Sequence, residues 1–466
     1  MEETRLKEIL KQEAIAFIDS NKEKFVEIAQ YIWEHPELAF EEFKSSKILA
    51  DTLEEFDFEV KRGVADLPTA FVATWGSGKP VLGLLAEYDA LPGLAPDGSG
   101  NPGHGCGHNL LGTASVAAGI AVREVLEKHN ITGTVKVFGC PAEEVVLGKI
   151  IMAAKGVFNG LDGVIQWHPY WENAIRYDSS TAAELKVYRF YGKSAHAGGT
   201  PWEGKSALDA AILFLNSIEF LREHIWEKDR IHYIITKGGD APNIVPDFAE
   251  VVLGVRSYDM KHFVELSRKV DECAIAATIG TGTKVEIFSK GACYPILPNK
   301  VLSSVVYENL QLVGPPKFPK DALKTEKLHT GIGKFEGWEL GGEWRGMTAS
   351  TDVGDVSWIV PTSGQLTTAC APMGTPTHSL EFTKYSGSSI GYEGMITAAK
   401  VMALSLIDIF LTPAILEKAW EEFKARKQSL GWEYKPFLPS KVEYKLEVST
   451  KREEFEIEEY LKTFKE

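Results

Sequence analysis

Three short apolar runs decide most of what the first half of this chain can fold into. They are VLGLLA at 81–86, TVKVFG at 134–139 and DGVIQW at 162–167. Each is short, carries β-branched residues and is bounded by Gly or Pro, which is the pattern of a buried strand. Helical periodicity fills the gaps, over roughly 110–129 and 148–158. Strand, helix, strand, helix, strand predicts an α/β layer with a mostly parallel sheet and right-handed crossovers. Polar residues follow each run. The first leads into Glu87 and Asp89, the second into Glu143 and Glu144, the third into His168. Ligands of open α/β sheets bind beyond the carboxyl ends of the strands. Carboxylates and an imidazole sent to that one edge describe a site.

The texture changes near residue 182. Strands are expected at 184–191, 230–236, 250–256 and 284–289, with amphipathic helices over 206–226 and 261–279. That is an α+β unit of ordinary domain size. After Pro298 mixed α/β character resumes and runs to an apolar helix ending near Leu411. The expected organisation is a catalytic domain in two parts, 1–181 and 298–466, interrupted by a lid or dimerisation domain over 182–297. The Lys- and Glu-rich tail from Ile415 reads as one or two solvated helices without chemistry.

Composition narrows the function. Among 466 residues, 50 Lys and Arg face 65 Asp and Glu, a formal net charge of −15. Such a surface argues against nucleic acid or an anionic membrane as the main partner. Five cysteines are too few for a disulfide framework and point to a reducing, cytoplasmic setting. The start, MEETRLKEILKQEAIAF, reads as a charged helix rather than a signal peptide. No stretch approaches the roughly 20 apolar residues of a membrane span.

The densest chemistry is PGHGCGHN at 102–109, where glycines alternate with His104, Cys106 and His108. Glycine permits tight backbone excursions, so side chains two apart can turn to one point. Thiolate and imidazole suit a borderline divalent metal. The pair Glu143 and Glu144 follows a buried strand, so one carboxylate can bind metal while the other acts as general base and acid. His168 (QWHPY) and His378 (GTPTHSLEF) add imidazoles. Taken singly, each has a plainer reading: a Gly-rich turn, an acidic first helical turn, a satisfied turn histidine. Cys106, His108, Glu144, His168 and His378 together make five donors. That is too many for one tetrahedral zinc and suits two metals with a shared ligand.

One motif points elsewhere. From Gly199 to Ser206 the chain reads GTPWEGKS, which fits the phosphate-loop pattern of a nucleotide-binding protein. Trp202 is bulky where amides must wrap a phosphate, and Glu203 sets a negative charge against a polyanion. A turn plus a helix cap is the expected outcome.

The segments GLLAEYDALPGLA, GHGCGHNLLGTA, GCPAEE, QWHP, KSAHAGGTPWEGKSALDA and STDVGDVSW occur in this order. Together they resemble the metal-dependent amidohydrolases related to aminoacylase and carboxypeptidase G, over about residues 31–411. The resemblance implies two divalent metals per subunit, Mn²⁺ or Zn²⁺. It implies Cys106 as bridging ligand, His108, Glu144, His168 and His378 as the others, and Glu143 as the catalytic carboxylate. Asp89 is implied to orient a ligand histidine. His196 is implied to reach the partner subunit's site and stabilise an oxyanion. Asn243 and Arg256 are implied to hold the substrate carboxylate or carbonyl. His104 matches no ligand position, and Asp352 and Asp355 lie in a typical loop of unassigned role. The implied activity is hydrolysis of N-acyl or N-aroyl amino acids, with a dipeptidase as the neighbouring alternative. The implied partners are a small-molecule amide and a second copy through the lid, or a homologous second subunit.

Overall fold

The computed structural model describes residues 2–335 and 349–443. Its first sheet has seven strands, in the order Glu59–Arg62, Phe71–Ser77, Gly133–Cys140, Val81–Glu87, Gly163–Ile165, Thr362–Ser363, Pro298–Asn299. The last five run parallel, and the first two add an antiparallel edge. Parallel strands buried on both faces need unbroken apolar runs, and Leu82, Leu84, Ala86, Val135 and Val137 are fully buried.

Two apolar helices, His108–Lys128 and Ser389–Leu411, pack on this sheet and on each other. Contrary to the expectation that no stretch approaches a membrane span, both are long and apolar enough to cross one by composition, but 94% of each apolar window is buried within the protein. They are core helices. The second ends at Leu411, as the sequence suggested, and the charge at Asp408 is met by Lys7 and Lys11 at 2.8 and 2.7 Å.

The third run departs from expectation. It is not one strand ending at His168. Gly163–Ile165 belongs to the first sheet, whereas Trp167–Tyr170 pairs with Gln365–Ala369 in a separate three-stranded sheet. Gln166 marks the change of sheet, its side-chain amide donating to the Ser363 carbonyl at 2.9 Å. His168 therefore sits inside a strand, turned by the second sheet rather than trailing the first.

The second unit is antiparallel, in the order Ser440–Val442, Lys284–Cys293, Ala182–Tyr191, Phe248–Ser257, Arg230–Lys237. Helices Ala207–Leu221 and Met260–Thr281 cover one face. The segment 199–206 is a turn and a cap. The amides of Glu203, Gly204 and Lys205 bond to carbonyls of Thr200, Pro201 and Lys193, and Ser206 Oγ accepts the Asp209 N–H at 3.0 Å. Amides spent this way cannot cradle a phosphate.

The tail differs from its sequence reading as well. Ala414–Leu430 is a helix, but it buries Leu416, Ala419 and Phe423. The chain then runs along the crossing between the two units. Trp432 Nε1 donates to Tyr294 Oη at 3.1 Å, Tyr434 Oη donates to buried Asp355 at 2.9 Å, and Ser440–Val442 joins the edge of the second sheet. The Lys- and Glu-rich stretch beyond 443 lies outside the described residues.

One close approach governs how the helix His108–Lys128 meets the strand Val81–Glu87. A Cβ on Gly112 would lie 2.6 Å from the Glu87 carbonyl oxygen and 3.0 Å from Leu49. Gly112→Ala is expected to cost about 1–3 kcal/mol of stability by overpacking, read as a lower urea midpoint with unchanged slope. An unchanged midpoint contradicts this packing.

Candidate metal centre

The strands deliver their polar ends to one place. Glu87 closes its strand and Asp89 follows in the turn. Gly107, at φ 76°, caps the next helix, and a Cβ there would sit 2.7 Å from Pro169. That left-handed turn sets Cys106 just before His108, the first helical residue. Asp89 then performs two tasks. Its Oδ1 lies 2.9 Å from His108 Nδ1, and its Oδ2 accepts the Glu144 N–H at 2.8 Å. With Nδ1 donating to this carboxylate, His108 Nε2 is the nitrogen presented to the site.

The second strand ends at Cys140, and the PAEE turn beyond it is held open. Ala142 and Val146 both adopt positive φ, 58° and 53°, which costs about 1–3 kcal/mol per residue and needs support from around it. Buried Glu42 supplies support. Its carboxylate accepts N–H bonds from Ala142 and Phe40 at 2.8 and 2.9 Å, and a hydroxyl from Thr69 at 2.9 Å. His168 is fixed by its Nδ1, 2.7 Å from the Pro169 carbonyl, so its Nε2 approaches Cys106 Sγ at 3.3 Å. His378, at φ 59°, is anchored through its N–H to the Gly105 carbonyl at 2.8 Å and approaches Glu144 at 3.4 Å.

The donor atoms fall into two overlapping sets. Those of Cys106, His108 and His168 lie within 4.8 Å of one another, and so do those of Cys106, Glu144 and His378. The thiol is common to both, as a bridging ligand must be. A third set within the same limit joins Glu87, His108 and Glu143. His104 takes no part; its Nε2 meets the Ile32 carbonyl at 3.1 Å.

The electrostatics ask for a cation. Burial, then Glu87 and Asp352, push Glu143 well above the usual carboxylate range. Burial, only partly offset by His108, raises Glu144 to about 7. Burial and then Glu144 raise the Cys106 thiol, and burial with His108 lowers His168 to about 4. His108 Nε2 and Glu144 Oε1 are buried with no hydrogen-bond partner. Orphaned buried donors and acceptors are costly, and divalent cations remove that cost while favouring thiolate, carboxylate and neutral imidazole at once. The donor set therefore fits a pair of divalent metals.

The site opens on a cleft of about 1320 Å³ whose far wall includes Leu185, His232 and Arg256 of the second sheet. Arg256 thus faces the cluster across the cleft. His196 and Asn243 do not line it. They lie together on the second unit, the Ala197 N–H donating to the Asn243 carbonyl at 2.9 Å, and both lie outside the buried core.

Sequence reading passed over Glu42, Lys149 and the place of Glu87 in the cluster. Glu42 carries little local signal, since beyond the Phe40 N–H its partners, Thr69 and Ala142, are 27 and 100 positions away. Lys149 did carry one: a lone charge in the apolar segment GKIIMAA.

Comparison with known proteins gives four concordant findings. Residues 179–279 match the model of the peptidase dimerisation domain of the M20 type. The chain is 38% identical over 458 residues to a subunit of the p-aminobenzoyl-glutamate hydrolase of Escherichia coli K12, covering 88% of this chain and 95% of that one. It is 34% identical to the mouse Xaa-Arg dipeptidase, covering 90% and 94%. A dinuclear metal-binding peptidase of the M20 family from Bacillus subtilis shares the fold at TM-score 0.59 and 18% identity, covering 84% of this chain and 99% of that one.

Glu42 supplies a pH test of the turn's support. Burial, reinforced by Asp89, raises its pKa from 4.5 to about 7. The folded state therefore holds this proton more tightly than the unfolded state, and Glu42 loses stabilising effect as pH rises from 4.5 towards 7. In chelator, wild type should lose stability relative to Glu42→Gln across that window, by up to about 3 kcal/mol. Parallel stability-versus-pH curves for the two proteins contradict the assignment.

Proposed function

Because the chain belongs to the M20 family of metal-dependent peptidases and amidohydrolases, we propose that it hydrolyses the amide bond of N-acyl or N-aroyl amino acids, p-aminobenzoyl-glutamate among them. The observation that carries this is the pair of donor sets sharing Cys106, with Glu143 beside them and outside both. Cys106, His108, Glu144, His168 and His378 would hold two divalent ions, Mn²⁺ or Zn²⁺. Bound there, the metals supply Lewis-acid polarisation of the scissile carbonyl and make water acidic enough to attack.

The chain's own residues do the rest. Glu143 is the general base, taking a proton from the attacking water and returning it to the leaving nitrogen. Asp89 orients the His108 imidazole and the Glu144 backbone together. Arg256, in the far wall, and Asn243, reaching in from a partner, hold the substrate carboxylate or carbonyl. His196 Nδ1 accepts N–H bonds from Gly198 and Gly199 at 3.1 and 3.0 Å. That arrangement places its proton on Nε2, where it donates to a developing oxyanion.

His196 and Asn243 lie outside this subunit's own cleft, so they serve the site of a partner. A homodimer through the lid supplies them, and a homologous second subunit is the variant form. The edge strand Arg230–Lys237 supports pairing with another chain. It exposes Ile234 and Ile235, and Phe220 on the neighbouring helix is 78% exposed. The domain limits 1–181, 182–297 and 298–466 are proposed on the same division of labour, with Ser440–Val442 of the last part joining the sheet of the second. Five free cysteines suit a reducing compartment, the cytoplasm.

The 34% identity to a dipeptidase supports a second reading with the same centre and a different pocket. A panel of N-aroyl amino acids and Xaa-Arg dipeptides separates the two by kcat/KM. In either case chelation should abolish turnover and Mn²⁺ or Zn²⁺ restore it; metal-independent hydrolysis refutes the mechanism. Glu143→Ala should retain metal and lose about 10²–10⁴-fold in kcat. Mixing His196→Ala chains with Glu143→Ala chains should restore activity in the mixed dimer. No recovery in confirmed mixed dimers excludes a shared site.

A further inference from the structure

The helix after the PAEE turn, Gly148–Ala154, carries one charged side chain, Lys149, and it is fully buried. Its ammonium lies between two carboxylates, donating to Glu87 Oε1 at 2.7 Å and to Asp352 Oδ1 at 2.5 Å. Asp352 Oδ2 also accepts the Lys149 backbone N–H at 2.8 Å, so the residue is clamped at both ends. Glu87 and Asp352 are themselves buried. The second oxygen of Glu87 faces the site, with Oε2 3.5 Å from His108 Nε2. Glu143 Oε2 approaches the same nitrogen at 3.8 Å.

Burying an ammonium costs several kcal/mol unless excellent partners repay it. A helix that only had to fill an apolar core would do better with Met or Leu here. A structural ion pair would need one carboxylate. This arrangement has two, drawn from elements far apart in sequence, and one of them lends its spare oxygen to the site. Without the ammonium, Glu87 would be a second unmatched negative charge beside Glu143, and nothing would set its direction.

We propose that Lys149 is a positioning residue for the hydrolytic reaction: held by Asp352, it fixes Glu87, and through Glu87 it sets how the His108 imidazole and the Glu143 carboxylate face the reacting atoms. This rests on the reading of Glu143 as general base. It also gives the STDVGDVSW loop a task, since Asp352 is its contribution to the centre.

The test is a double-mutant cycle on the full-length, metal-loaded protein. Lys149→Met and Glu87→Gln should each lower kcat by roughly 10–100-fold, the usual effect of losing an outer partner of a metal centre, with KM little changed. The double variant should be no worse than the poorer single one. The same cycle read by calorimetric titration of the apo protein with Zn²⁺ should show the same non-additivity in metal affinity. A purely structural Lys149 lowers the melting midpoint and leaves kcat and metal affinity of the folded protein unchanged; that result, or losses that simply multiply, overturns the proposal. If Lys149→Met does not fold, Asp352→Asn, which removes the charge that holds Lys149 against Glu87, replaces it in the cycle under the same criteria. If wild type cleaves no amide while the metal titrations remain non-additive, the functional reading fails and the positioning role stands. If wild type is active and both readouts are additive, the positioning role fails and the functional reading stands.

Discussion

The candidate centre depends on one carboxylate that binds nothing but its neighbours. Asp89 fixes the tautomer and direction of His108 with one oxygen and the backbone of Glu144 with the other. The first contact joins the strand Val81–Glu87 to the helix His108–Lys128; the second joins it to the turn after Gly133–Cys140. Three elements are thus locked to each other at the point where their functional side chains converge. Outer partners of this kind set ligand orientation and basicity as firmly as the ligands themselves.

The surroundings show the same economy of charge. Glu42 holds the strained PAEE turn open from behind, and Lys149 with Asp352 holds Glu87 from below. Each support spends a buried charge, and each such charge is satisfied by hydrogen bonds or a counter-ion. Among the buried side-chain atoms without a hydrogen-bond partner are His108 Nε2 and Glu144 Oε1, the atoms proposed to face metal. An orphaned buried donor or acceptor calls for an explanation, and a bound cation supplies one for these two.

Much of this was legible from local pattern. The parallel strands, the two long helices over the sheet and the antiparallel second unit follow from periodicity and punctuation, and the structure differs mainly at element ends. The Cys106–His108 loop and the Glu143–Glu144 turn stood out because their chemistry is concentrated in a few positions. The jump from Ile165 to a new sheet was hidden, because Gln166 looks like an ordinary strand residue until Ser363 is brought beside it. Glu42 and the role of Asp352 were hidden for the same reason: the partners that define them are remote in sequence and only tertiary packing identifies them. The tail was misjudged because Lys and Glu dominate its composition, while three well-spaced apolar residues, Leu416, Ala419 and Phe423, decide its burial.

That tail changes how the second unit can move. Two crossings of the chain near Ser179 and Ile296 would make a hinge, and their own hydrogen bonds, Ser179 Oγ to the Ile296 carbonyl and Ile296 N–H to Ser180 Oγ, keep them side by side. The run from Trp432 to Val442 adds a leash outside that axis, anchored on Tyr294 and Asp355 at one end and stitched to Ile287–Ser289 at the other. A swing wide enough to separate Arg256 from the cluster must peel that short ladder first. The leash therefore reaches the mouth of the cleft, where Ser289 and Pro439 form part of the wall, and ties the edge of the second unit to the tail there.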